Sequence, residues 1–152
     1  MQVEIWKPIS GYRGYYEVSN LGRVRSVTRL IERTDPNNSK KKRMFTYKGK
    51  LIHFWITKKG YLRCSLCIDG KAAKHLIHRL VAKEFVENKD DKKQVNHINC
   101  VKADNRVENL EWCTNYENYI HSVLMGKQDN SHKTQGKRNM SKSKYEKKDI
   151  QA

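Results

Sequence analysis

One histidine, and asparagines that can hold a divalent cation, are suited to hydrolysing a phosphodiester, and Asn96, His97, Asn109 and Asn118 stand in such an order along a short polar stretch. The reaction needs a base to take a proton from water, and positive charge to stabilise the phosphorane-like transition state and the leaving 3′ oxygen. His97 is the candidate base, because an imidazole with a pKa of about 6.5 is partly neutral at working pH. Asn96 beside it and Asn118 further on offer carbonyl oxygens suited to a hard cation, Mg²⁺ or Mn²⁺. Between them, Asn109 can bridge the intervening loop through its amide. Taken singly, each of these residues reads equally well as a turn or surface residue. Their joint order and spacing single them out.

Two further histidines qualify as possible near-site residues. His121 lies three residues past Asn118, on the same face of an expected helix, where it would touch metal or phosphate or else pack the helix. His78 lies beside a strand, and His75 reads as a surface residue.

Positioning these groups takes extended segments and a helix. Residues Gln94–Met125 read as two short extended segments before a helix, with Thr114 as N-cap and Glu117 completing a capping box. Upstream, Tyr61–Ile68 and Ala72–His78 flank Asp69-Gly70, a dipeptide that favours a type I′ hairpin turn. Leu80, Val81 and Phe85 then fall at helical spacing. Trp6–Val27 alternates aromatic or β-branched residues with polar ones between turn-forming glycines, so short strands with tight turns are expected. Thr34–Lys50, with Pro, Asn, Ser and a basic run, is expected to be an exposed loop followed by a strand. Beyond Gly126, few apolar residues remain among many lysines, and a mobile basic tail is expected over residues 127–152.

The 152 residues carry 32 Lys+Arg against 16 Asp+Glu, a formal net charge of +16. That excess is typical of a protein that neutralises phosphates, and a polyanionic partner follows. In GRVRSV, Arg23 and Arg25 are expected on one strand face, with Val24 and Val27 towards a core. Together with Arg43, Lys48, Lys50, Lys58, Lys59 and Arg79 they are candidate DNA contacts. No run of about 20 apolar residues offers a membrane span, and the first residues lack the pattern of a signal peptide, so an intracellular protein without a membrane partner is expected. Four cysteines should then stay as thiols. The C-S-L-C spacing at 64–67 has half the pattern of a zinc site, but within a strand such residues point to opposite faces, which disfavours zinc.

The string VNHINCVKADNRVENLEWCTNYEN resembles the H-N-H endonuclease motif, especially the branch found in phage and intron-encoded homing enzymes. HRLVA at 78–82 is similar to the helix that precedes the motif there. Trp6–Ser26 follows W-x-x-I-x-G-Y-x-G-x-Y-x-V-S-N-x-G-x-V-R-S, the pattern of a small nuclease-associated module often fused in front. The resemblance implies an α+β fold: a small antiparallel β module followed by a β-β-α metal finger (His-Me finger). It implies His97 as general base, Asn109 as the central structural asparagine, Trp112 as an aromatic packed beneath the finger, and Asn118 as a metal ligand. Asn96 takes the position where many members carry a metal-binding Asp, and Cys100 stands where a turn glycine is common. The expected organisation is a β module at 1–30, a connecting hairpin and helix at 31–94, the finger at 95–126 and the tail at 127–152. The implied activity is single-metal hydrolysis of double-stranded DNA, leaving 5′-phosphate and 3′-hydroxyl ends; the oligomeric state is left open, with a monomer favoured. The alternative is a DNA-binding protein that keeps the fold without catalysis.

Overall fold

Alternation at a period of two builds the first sheet. In the computed structural model, which describes residues 3–126, β1 (Trp6–Pro8), β2 (Tyr16–Ser19) and β3 (Val24–Ser26) form an antiparallel meander. Val18 pairs with Val24 on the buried face, while Glu17 pairs with Arg25 on the other. Ser26, rather than Val27, shares the inward face with Val24, because residues two apart on a strand point the same way and residues three apart do not.

The basic run upstream of Lys50 is no loop. Arg29–Asp35 (β4) and Asn38–Tyr47 (β5) form a long, mostly exposed antiparallel hairpin closed at Pro36-Asn37. Buried Asp35 organises the turn: its carboxylate accepts from the Asn37 amide at 2.9 Å and pairs with Arg43 at 2.5 Å. Cross-strand pairing of Lys42 with Glu32 helps a lysine-rich strand to close against its neighbour.

The second sheet comprises β6 (Phe54–Ile56), β7 (Leu62–Ile68) and β8 (Lys71–Leu76). Asp69 and Gly70 both take positive φ, 50° and 75°, as the expected hairpin turn requires. Within β7, Cys64 is fully buried and Cys67 exposed, so the two thiols point apart and do not form half a zinc site. The chain passes from β8 directly into α1 (Ile77–Phe85), whose Ile77, Leu80 and Val81 are buried.

The β-β-α unit follows as expected: β9 (Gln94–His97) pairs antiparallel with β10 (Leu110–Cys113), and α2 (Asn115–Leu124) closes it. Thr114 and Glu117 form the capping box in full. Trp112 packs against the core and donates its indole N–H to the Val86 carbonyl at 3.1 Å. One core unites these parts, with Val18 and Val24 of the first sheet meeting Cys64 and Leu66 of β7, Leu80 and Val81 of α1, and Val95 and Leu110 of the finger. Among the described residues no helix is long and apolar enough to cross a membrane. The basic tail expected at 127–152 lies outside the described residues.

Candidate active site

β9 delivers Asn96 and His97 as consecutive residues, both buried. The chain then turns back at once: the Cys100 amide donates to the His97 carbonyl at 2.8 Å, and Cys100 takes a φ of 59°. That left-handed conformation is the one glycine adopts without strain, which accounts for the turn at this position. Asn109 holds the loop closed from its far end. Its Oδ1 accepts from the Asn99 amide at 2.9 Å and its Nδ2 donates to the Asp104 carbonyl at 2.8 Å.

Asn118, on the second turn of α2, faces the same cleft as Asn96 and His97. The cleft encloses about 440 Å³ and is lined also by Tyr61, Cys100, Lys102 and His121. Asn96 donates from Nδ2 to Glu111 Oε1 at 2.8 Å across the β9–β10 pair. With the amide nitrogen so engaged, the Asn96 carbonyl oxygen is the atom left for a cation. Oxygen donors from Asn96 and Asn118, with the Glu111 carboxylate alongside, suit a hard divalent ion rather than zinc.

The His97 ring is held on several sides. Its Nε2 lies 3.1 Å from Asn105 Oδ1, both residues being buried. The His78 ring meets it edge-on at 5.0 Å between centroids, and Tyr61 lies 6.0 Å away. Burial lowers the His97 pKa below its ordinary value, only partly offset by the Asn105 hydrogen bond and the Asp104 charge. That shift favours the neutral imidazole, the form a general base would need. His78 is pushed down to about 3 by burial, with the His97 and Arg79 charges adding to the effect. It sits on α1, its Nδ1 without a hydrogen-bond partner among the described residues.

The remaining expected residues divide. His121 lines the cleft, but its Nε2 donates to the Ile98 carbonyl at 3.1 Å and its Nδ1 lies 3.8 Å from Cys100 Sγ, so it ties α2 to the turn after β9. His75 is half-buried rather than a free surface residue, with Nε2 2.9 Å from the Tyr12 hydroxyl. Lys58, Lys59 and Arg79 line a groove that opens onto the cleft and shares Tyr61 and Asn118 with it; Arg63 extends its basic wall. Arg79 also donates to the Lys93 carbonyl at 3.0 Å. Lys48 and Lys50 are exposed beyond the hairpin. Arg23 and Arg25 both stack on Trp6, at 5.9 and 4.2 Å from the ring centre, and pair with Glu4 and Glu17 respectively. Arg43 is committed to Asp35.

Sequence reasoning missed Asn105 and Glu111. Neither carries a local signal, because their roles depend on strand pairing and loop closure around His97 and Asn96.

Comparison with known proteins covers both halves of this arrangement. Residues 4–67 match a family described as the NUMOD4 motif, and residues 75–119 one described as HNH endonuclease. An uncharacterised HNH endonuclease of Acanthamoeba polyphaga mimivirus is 44% identical over 124 residues, 79% of this chain and 26% of that protein. DNA endonuclease I-HmuI of Bacillus phage SP01 is 33% identical over 121 residues, 80% of this chain and 59% of that protein. A solved structure described as DNA binding and cleavage by the HNH homing endonuclease I-HmuI superposes with a TM-score of 0.65 at 31% identity, covering 82% of this chain and 61% of that one. The chain thus spans between about a quarter and three fifths of the length of these relatives.

Proposed function

The chain belongs to the H-N-H endonucleases of the phage and intron homing type, with a NUMOD4 motif ahead of the HNH domain, and on that footing we propose that it hydrolyses phosphodiester bonds in double-stranded DNA. The observation that carries this is the convergence of His97, Asn96 and Asn118 on one cleft that opens into a basic groove. His97 accepts the proton of the attacking water. Asn109 keeps the loop closed, so that His97 and Asn96 stay fixed at its base. Asn96 and Asn118 would hold Mg²⁺ or Mn²⁺, which when bound would supply positive charge for the leaving 3′ oxygen. Lys58, Lys59 and Arg79 meet backbone phosphates and orient the duplex.

The products are a 5′-phosphate and a 3′-hydroxyl, made inside the cell. A non-catalytic DNA-binding role is the competing possibility, favoured only by the neutral Asn96 where many relatives carry a carboxylate. Incubating the protein with supercoiled plasmid, with and without Mg²⁺ or Mn²⁺, decides between them. Nicked or linear DNA that EDTA prevents is expected; bound but uncut plasmid in every metal would establish the non-catalytic alternative.

A further inference from the structure

A tight turn at the end of the first sheet's second strand, β2, packs directly against the finger loop. Gly22, at a φ of +80°, lies so close to the finger loop that a Cβ there would come within 2.8 Å of Asn105 Cβ and 3.0 Å of the Asn105 carbonyl oxygen. Beside it, the Val107 amide donates to the Asn20 carbonyl at 2.8 Å. The turn is itself rigid: Asn20 Oδ1 accepts from the Ile5 amide at 2.8 Å, and its Nδ2 donates to the Val3 carbonyl at 3.1 Å. Asn105, pressed between this turn and the finger, directs its Oδ1 to His97 Nε2.

Asn105 is a poor choice for structure alone. Only 3% of it is exposed, yet its Nδ2 has no partner among the described residues. An orphaned buried amide costs stability that an apolar side chain of similar size would avoid. What the amide supplies is an acceptor for one ring nitrogen. When Oδ1 accepts, Nε2 carries the ring hydrogen, and Nδ1 keeps the lone pair that a base requires; the partner of one imidazole nitrogen sets the role of the other.

We propose that the Ser19–Gly22 turn of the NUMOD4 region is a positioning device for catalysis: it seats Asn105, and Asn105 fixes the tautomer and orientation of His97. This rests on His97 being the base. Neither Asn105 nor Gly22 lines the cleft, so both act only through the imidazole.

The test combines single-turnover cleavage and DNA affinity with ¹⁵N NMR of the histidine rings in the metal-free full-length chain. The wild-type ring should be the Nε2–H tautomer. Asn105→Leu should mix the tautomers and slow cleavage by about 10²-fold, the scale expected when a reacting group is displaced by about an ångström, with DNA affinity unchanged. Asn105→Asp, which keeps the acceptor, should restore the wild-type tautomer and much of the rate. Gly22→Ala should behave like Asn105→Leu. Gly14→Ala is the control for backbone strain, since Gly14 has a φ of +81° with nothing within 4 Å of its Cβ position, and it should cut at the wild-type rate. An Nδ1–H tautomer in the wild type, full activity in a folded Asn105→Leu protein, or equal losses from Gly22→Ala and Gly14→Ala would each overturn the proposal. His97→Ala, assayed alongside, separates the two ideas. Full activity there removes His97 as base, whereas the NMR still reports whether Asn105 holds the ring.

Discussion

Two buried asparagines, one in each half of the molecule, are handled in opposite ways. Asn20, in the turn after β2, uses both ends of its amide to tie down the segment that leads into β1. Asn105, in the finger, uses one end on His97 and leaves the other without a partner among the described residues. The contrast extends to charge. Arg23 and Arg25 are paired with Glu4 and Glu17 and stack on the Trp6 ring, whereas Lys58 and Lys59 beside the cleft form no ion pair among the described residues. Most buried polar groups find partners within the fold, so an exception such as the Asn105 amide calls for an explanation.

The largest test of that division is His97→Ala. Loss of a general base typically lowers the rate by about 10²–10⁴-fold, and DNA affinity should hold because the groove is untouched. A variant cutting at the wild-type rate would strip the cleft of its special status.

Acid stability comes next in size. His78 is kept neutral by burial, with a folded pKa of about 3. The unfolded chain takes up this proton near pH 6.5 while the folded one does not, so the unfolded state binds more protons between those values. Stability is therefore full above about pH 6.5 and is lost as pH falls, on the order of 1 kcal/mol per pH unit from this group. Urea melts across that range should show the slope, and His78→Phe should flatten it. An unchanged slope would assign the acid sensitivity elsewhere.

Asn96→Asp probes the cation side. The substitution removes the amide donor to Glu111 and sets two carboxylates against each other, which lowers metal-free stability. Mg²⁺ should relieve that repulsion, so the melting temperature should rise more with metal in the variant than in the wild type, and half-maximal cleavage should need less metal. Equal metal responses would place the ion away from residue 96.

The smallest effects distinguish paired from unpaired cations. Each phosphate contact contributes about 0.9 to the log–log salt slope on duplex DNA. Lys59→Ala should reduce that slope by roughly one contact, while Arg25→Ala should leave it unchanged and lower the melting temperature instead, because Arg25 serves Glu17 and Trp6. The reverse pattern would move the DNA face to the first sheet.

The sequence alone determined the features whose causes are local. Asp69-Gly70 makes its turn from its own backbone preferences, Thr114 and Glu117 cap α2 across three residues, and the alternation in Trp6–Ser26 is enough for short strands. The order of His97, Asn109 and Asn118 was legible for the same reason, since the finger is one contiguous stretch. Packing decided the rest. Pairing between β4 and β5 made a hairpin of a stretch whose composition reads as a loop, because the backbone ladder and the buried Asp35 outweigh the lysines. Glu17, the partner of Arg25, lies on the neighbouring strand, Glu4, the partner of Arg23, lies just ahead of β1, and Glu111 meets Asn96 only through strand register. Asn105 reaches His97 because the loop folds back on itself, held by a glycine turn more than 80 residues upstream. Contacts of that range leave no spacing in the sequence; they exist only once a shared core has brought the two halves together.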